Sequence, residues 1–247
     1  KGGFGGAAKT VGAIGAAGIF GGAEGMAGAA IGGIIGGGLP GAVAGGIVGT
    51  QLGQFRKSLS SLSEYSAQLG LQRKALRLVI NDTDKYAASQ KFLADTSDKL
   101  AIPQDIITRQ FTSLTASVTG AGQSVEDAQK VFEAIAAGIR GTGGSLEDMK
   151  SAMRATSQVF SKGKVSAEEL RQQLGERLPG AFTLFAESMN KTPAQLDKEL
   201  EQGTVTLDDF MKFSETLFKK YGKNAEILAD SPQAAGDRLQ TEMSKLK

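Results

Sequence analysis

Two pairs of adjacent carboxylates, Glu168-Glu169 and Asp208-Asp209, are the residue types that serve general acid–base work. Both pairs sit at the start of helical patterns, where acids are favoured by capping and by the positive helix terminus, so neither is read as catalytic. Gly141-Thr142-Gly143-Gly144 has the glycine content of a phosphate cradle. No strand pattern precedes it and no Gly-Lys-Ser/Thr follows, which makes it a turn between helices. Lys162, Lys164, Arg171 and Arg177 form a mildly basic patch that neighbouring acids cancel, the signature of a solvated face. Ser and Thr are plentiful, but the 247-residue chain has no His, and no Lys is placed to activate a hydroxyl nucleophile. With no Cys either, thiolate metal sites, disulfides and cysteine nucleophiles are excluded. Trp is absent, Tyr occurs three times and the net charge is +2, so neither stacking platforms nor a strong field mark a nucleic-acid partner. The expectation is a non-enzyme with no catalytic residue, no cofactor and no metal.

The elements that hold these residues are helices. Five helix starts carry Ser or Thr followed three residues later by an acid or amide: Ser124 with Asp127, Ser145 with Asp148, Ser166 with Glu169, Thr192 with Gln195 and Thr206 with Asp209. In such a capping box the hydroxyl and the second side chain each satisfy an otherwise orphaned N–H; Asp, being short, serves less well than Glu or Gln. Gly120, Gly141 to Gly144, Gly163, Gly203 and Gly222 read as stops. Residues 55–80, FRKSLSSLSEYSAQLGLQRKALRLVI, read as one long helix with Leu59, Leu62, Leu69, Leu76 and Val79 near one face. No segment alternates convincingly with period two. The fold class is therefore all-α: a Gly-rich apolar helical, hairpin-like segment followed by a bundle of short helices. Four parts are expected: 1–55 apolar and membrane-competent, 56–81 a long connecting helix, 82–230 a helical domain, and 231–247 the start of a further helix. The chain opens Lys1-Gly2-Gly3 without Met and closes on DRLQTEMSKLK with no stop, which suggests an excerpt of something longer. Its glycine-rich opening is not a secretory signal.

The first segment is compositionally apart. It holds 21 of the 34 glycines within 53 residues, and between Lys9 and Arg56 the only charge is Glu24. That run exceeds the about 20 residues that cross a bilayer. Gly28, Gly32 and Gly36, then Gly41, Gly45, Gly49 and Gly53, recur every fourth position, with Pro40 between the two stripes. A linker would use Ser, Asn and charges rather than Ile, Val and Ala. A buried hairpin in a soluble core would spend helix stability on many glycines, each costing about 1 kcal/mol against Ala. Helices packed at short axial distance, in lipid or in an oligomer, are the reading that the spacing favours.

One stretch carries a family resemblance: SQVFSKGKVSAEELRQQLGERLPGAFTLFAESMN, 157–190. Gly163 ends a helix, Val165 precedes the Ser166 cap, Leu170, Leu174 and Leu178 form a stripe, Gly175 permits close packing, and Pro179-Gly180 forces a bend. The order Gln158, Gly163-Lys164-Val165, Glu169-Leu170-Arg171-Gln172-Gln173-Leu174-Gly175-Glu176, Leu178-Pro179-Gly180-Ala181 resembles the tape measure domain of long-tailed bacteriophages. The likeness extends more loosely from about Tyr86 to Gly203, through the Thr119-Gly120 turn, SVEDAQKVFEAI and LDKELEQGTVT.

The resemblance implies a structural protein of the virion that fills the tail-tube lumen, sets tail length and helps DNA cross the host membrane at ejection. Implied partners are further copies of the chain, three being favoured, the tail-tube and tail-tip or baseplate hub proteins, and the host inner membrane, with phage DNA met only in passage. At about 1.5 Å per helical residue, 247 residues are too few to be the whole ruler. The alternative is a glycine-zipper pore-forming toxin or bacteriocin-like protein with a helical carrier domain, which leaves residues 163–181 unexplained.

Overall fold

In a computed structural model of the chain, the described residues are 48–239 apart from 233 and 237, with side chains described from residue 63 on. Gly28, Gly32, Gly36, Gly41, Gly45, Pro40 and the expected hairpin lie outside them. The chain divides into two units, Lys1–Gly53 and Gln54–Lys247, and the helical bundle belongs to the second. Helices α1 (Val48–Val79), α2 (Thr83–Leu100), α3 (Gln104–Gly120), α4 (Val125–Gly141) and α5 (Leu146–Lys162) are followed by a π-helix (Glu168–Leu174). Helices α6 (Ala181–Ser188), α7 (Pro193–Gln202) and α8 (Leu207–Ala229) complete the order. No strand occurs among the described residues.

Four of the five expected capping boxes form, at Ser124–Asp127, Ser145–Asp148, Thr192–Gln195 and Thr206–Asp209. Asp at the third position closes the box despite its length, accepting the Ser145 N–H at 3.0 Å while its own N–H donates to the Ser145 hydroxyl at 3.1 Å. The Ser166 box does not form: its hydroxyl donates to the Glu169 carboxylate, as in the other boxes, but caps no backbone N–H of the π-helix that follows. Asp82 caps α2, accepting the N–H groups of Asp84 and Lys85 at 2.9 Å each.

The glycine stops are mixed. Gly163 and Gly203 end their helices in the left-handed region, but Gly120 is the last helical residue of α3 and the positive φ falls on Gly122. Gly222 is no stop: α8 runs through it to Ala229, and it is buried. Ala101, with φ +52°, ends α2 where glycine would be the ordinary choice. Its strain is held by its neighbours: the Ser97 hydroxyl donates to the Ile102 carbonyl at 2.6 Å, and the buried Arg140 donates to the Leu100 carbonyl at 3.3 Å.

Helix α1 is described from Val48, upstream of the expected start at 56, and includes Gly49 and Gly53. Its apolar face is partial. Leu76 is buried and Leu69 and Val79 are half-buried, but Leu71 and Leu78 are 67% and 83% exposed. The side chains of Leu59 and Leu62 lie outside the described ones. The end of α1 is tied to α2 through Arg77, whose guanidinium donates to the Ile80 carbonyl at 3.2 Å and the Thr83 hydroxyl at 2.8 Å.

The core is continuous across α2 to α8 and holds two aromatic groups. Phe92, Phe111 and Phe132 join α2, α3 and α4, with Phe111 edge-on to Phe132 at 5.6 Å. Phe160, Phe185, Phe210 and Phe213 join α5, α6 and α8, with Phe185 stacked on Phe213 at 4.9 Å. The most extensive helix pairing is α4 with α8. Small residues make it close. A Cβ on Gly141 would stand 2.8 Å from the Tyr221 carbonyl oxygen, and one on Gly138 3.0 Å from the Leu217 side chain. No helix among the described residues is long and apolar enough to cross a membrane.

Candidate functional site

The residues singled out at 163–181 come together as one folded-over corner between α5 and α6. Gly163 ends α5 with φ +72°, and Gly180 opens α6 with φ +81°. A Cβ at either position would meet nothing within 4 Å, so backbone conformation alone calls for glycine there. Val165 is buried, and its N–H donates to the Val205 carbonyl at 3.3 Å, linking the segment before the π-helix to the one before α8. Lys164, Pro179 and Gly180 are exposed, whereas Leu170, Leu174 and Leu178 are all buried in the common core.

The π-helix departs from the ordinary start expected at Ser166. Its closing bond runs from the Gly175 N–H to the Leu170 carbonyl, five residues back, at 3.0 Å. A Cβ on Gly175 would lie 2.4 Å from the Arg171 carbonyl oxygen and 3.1 Å from that of Leu170. Gly175 therefore makes room for its own preceding turn, not for a second helix.

Glu169 shows why the cap differs. Its side chain is only 1% exposed, one carboxylate oxygen receives the Lys162 ammonium and the other the Ser166 hydroxyl. What sets this acid apart from those of the formed boxes is its burial and its second partner, Lys162. A buried carboxylate needs this company, because losing water without a partner costs several kcal/mol. The same hydrogen bond from Lys162 to Glu169 pushes the Lys162 ammonium above its ordinary value. Glu168, the other member of the pair, is exposed.

Three of the four members of the basic patch, Lys162, Arg171 and Arg177, make individual pairs. Besides Lys162 with Glu169, Arg171 meets Asp197 on α7 at 2.5 Å and lies 4.1 Å above the Phe182 ring. Arg177 meets Asp148 on α5 at 3.3 Å. Asp208 is exposed, and Asp209 serves the Thr206 box. Gly141 to Gly144 form the α4–α5 turn, with Gly143 at φ +80°.

A polar cleft of about 750 Å³ opens beside the corner. Gln172, Gln173 and Glu176 from the π-helix and the turn after it face Arg109 and Gln110 of α3 and Arg154 of α5. It is amide-rich and carries both signs of charge, without any nucleophile–base arrangement. No group of acids able to hold a metal occurs among the described residues.

The sequence pattern did not show the π-helix, the burial of Glu169 or the cleft. The seven-residue separation of Lys162 and Glu169, across a helix-ending glycine, was the available sign of a pair.

A family model described as "Tape measure protein" matches residues 60–247. A relative described as "Probable tape measure protein", from Salmonella phage Felix O1 (isolate Felix O1-VT1), is 44% identical over 84 residues. That match covers 34% of this chain and 11% of the relative, so the chain corresponds to a small share of the relative's length. No solved structure matches.

Proposed function

Because the chain belongs to the tape measure protein family, a structural and non-enzymatic one, we propose that it is part of a long protein that fills the tail-tube lumen of a phage and sets the tail's length. The match over 60–247 carries this reading. An extended helix rises about 1.5 Å per residue and so converts chain length into distance, which applies to extended parts of such a protein rather than to this folded-back bundle. We further propose self-association at low copy number, three per tail, with contacts to the tail tube and to the tail-tip or baseplate hub. A narrow lumen on a rotational axis accommodates few helices about 10 Å across.

The role at ejection rests on the sequence of residues 1–55. Their small-residue stripes suit helices that pack closely in a host inner membrane and assist passage of DNA. A peptide of residues 8–56 is expected to bind liposomes and release a trapped dye. Gly45→Leu with Gly49→Leu is expected to bind equally and leak much less. Equal leakage would show that apolarity alone, without the glycine stripe, produces the effect.

The test of the proposed role is quantitative mass spectrometry of purified particles and of separated tails. The chain is expected in the tail fraction at a few copies per particle. Absence from particles, or a copy number matching the tube subunit, would overturn it.

A further inference from the structure

The corner between α5 and α6 combines features that rarely coincide in a rigid core. Both ends turn on glycines in the left-handed region, Gly163 and Gly180. Its backbone is a seven-residue π-helix, a geometry with poorer hydrogen bonding than an α-helix and one that is usually confined to single turns. Its packing partners are chiefly α5 and α6, while the extensive α4–α8 pairing lies elsewhere. The Arg171–Asp197 and Arg177–Asp148 pairs that tether its outer side are all between 30% and 45% exposed, and such surface pairs hold weakly. One tether differs: Glu169 is buried and both of its oxygens are occupied, by Lys162 from α5 and by Ser166.

We propose that residues 164–180 form a strap that opens as a unit about Gly163 and Gly180 while the α4–α8 pair stays folded, with the Lys162–Glu169 ion pair as the latch that holds it shut. Opening costs the burial of Leu170, Leu174 and Leu178, but it spares the α4–α8 pairing, and the outer ion pairs that it breaks are exposed ones. Opening turns the row Leu170, Leu174, Leu178 away from the core and takes Gln172, Gln173 and Glu176 out of the cleft wall. The latch sets how often this happens. Without the Lys162 ammonium, closing the strap would bury the Glu169 carboxylate with one partner fewer, which favours the open form.

The absence of cysteine from the 247 residues makes the test direct. Val165→Cys places a thiol in the strap and Val131→Cys one in α4, both at sites that are 1% exposed or less. Under native conditions the Val165→Cys thiol is expected to react with a soluble disulfide reagent at least about tenfold faster than the Val131→Cys thiol. Adding Lys162→Met is expected to raise the Val165→Cys rate about tenfold further and to leave Val131→Cys unchanged, while Lys162→Arg restores the slow rate. Equal rates at the two sites, or rates that rise together, would show one cooperative unit and overturn the strap. A Val165→Cys rate indifferent to Lys162→Met would overturn the latch. Hydrogen exchange on the unsubstituted chain separates the same outcomes without any cysteine. Amides of 168–175 exchanging ahead of those of 131–140 support the strap, and exchange of both sets at one rate contradicts it.

Discussion

The α4–α8 pair and the α5–α6 corner both depend on glycine, and they use it in opposite ways. At Gly141 and Gly138 the missing Cβ lets a second helix approach until Tyr221 and Leu217 fill the space. At Gly175 the missing Cβ lets the chain approach itself, since the crowding atoms are the carbonyl oxygens of Arg171 and Leu170. The first arrangement is apolar and extensive. The second is short and held by a buried carboxylate. A small residue in a helical sequence thus signals a close approach without saying whether the neighbour is another helix or the preceding turn.

Substitutions at these glycines separate the two regions. Gly141→Val sets side-chain atoms against the Tyr221 backbone, which cannot swing aside, so loss of about 3 kcal/mol of stability is expected from forced overpacking. Urea unfolding followed by far-UV circular dichroism should show a lower midpoint for the whole bundle. An unchanged midpoint would mean that the α4–α8 approach has slack.

Gly175→Ala brings a Cβ to 2.4 Å from a carbonyl oxygen and should cost about 2 kcal/mol. Its mark should be regional, with faster hydrogen exchange in 168–178 and little change in α4. Uniform acceleration would mean that the corner and the helix pair melt together.

Ser145→Ala removes the α5 cap, whose Asp148 also meets Arg177 of the corner, and should cost about 1 kcal/mol. It calibrates the other two, and a larger loss than Gly175→Ala would reverse the ranking.

Acid gives the smallest and most distributed effect. Asp127 and Asp148 are held below the ordinary carboxylate range, chiefly by the Ser124 and Ser145 hydroxyls, so folding favours their ionised forms. Their contribution is fully present above the unfolded value near 3.8 and is lost as pH falls through the lower folded values. Glu133 has the opposite sign. Burial raises it, Lys99 offsets part of that and Glu226 adds to it, so stability declines as pH rises from 4.5 through its higher folded value. In thermal melts the parent should therefore decline slightly as pH rises above 4.5, while Glu133→Gln stays flat there. A parent as flat as the variant would mean that Lys99 cancels the effect of burial.

Much of the fold was legible because local chemistry decides it. The hydroxyl-to-acid spacing at Ser124, Ser145, Thr192 and Thr206 fixes helix starts through bonds made within four residues. The left-handed ends at Gly163 and Gly203 are local in the same sense. What escaped the sequence depends on distant neighbours. Gly222 reads as a stop, yet α8 continues because its residues on either side pack into the core. No glycine marks the end of α2 at Ala101, and Arg140, about forty positions on, helps hold the turn there. Ser166 reads as a cap, yet the helix that follows is a π-helix with no side-chain cap bond, and its Glu169 is buried against Lys162. The corner was visible as a family-like motif, but its π geometry follows from which carbonyl the Gly175 N–H can reach, and spacing does not reveal that.

A map of the intact particle reconstructed without imposed symmetry tests the proposed place of this chain in the tail most directly. Helical density at low copy number is expected along the tail axis, inside the tube wall, with the compact bundle either near the tail tip or opened into extended helices. Density for this chain outside the tube wall, or one copy for every tube subunit around each ring, would contradict a place in the lumen.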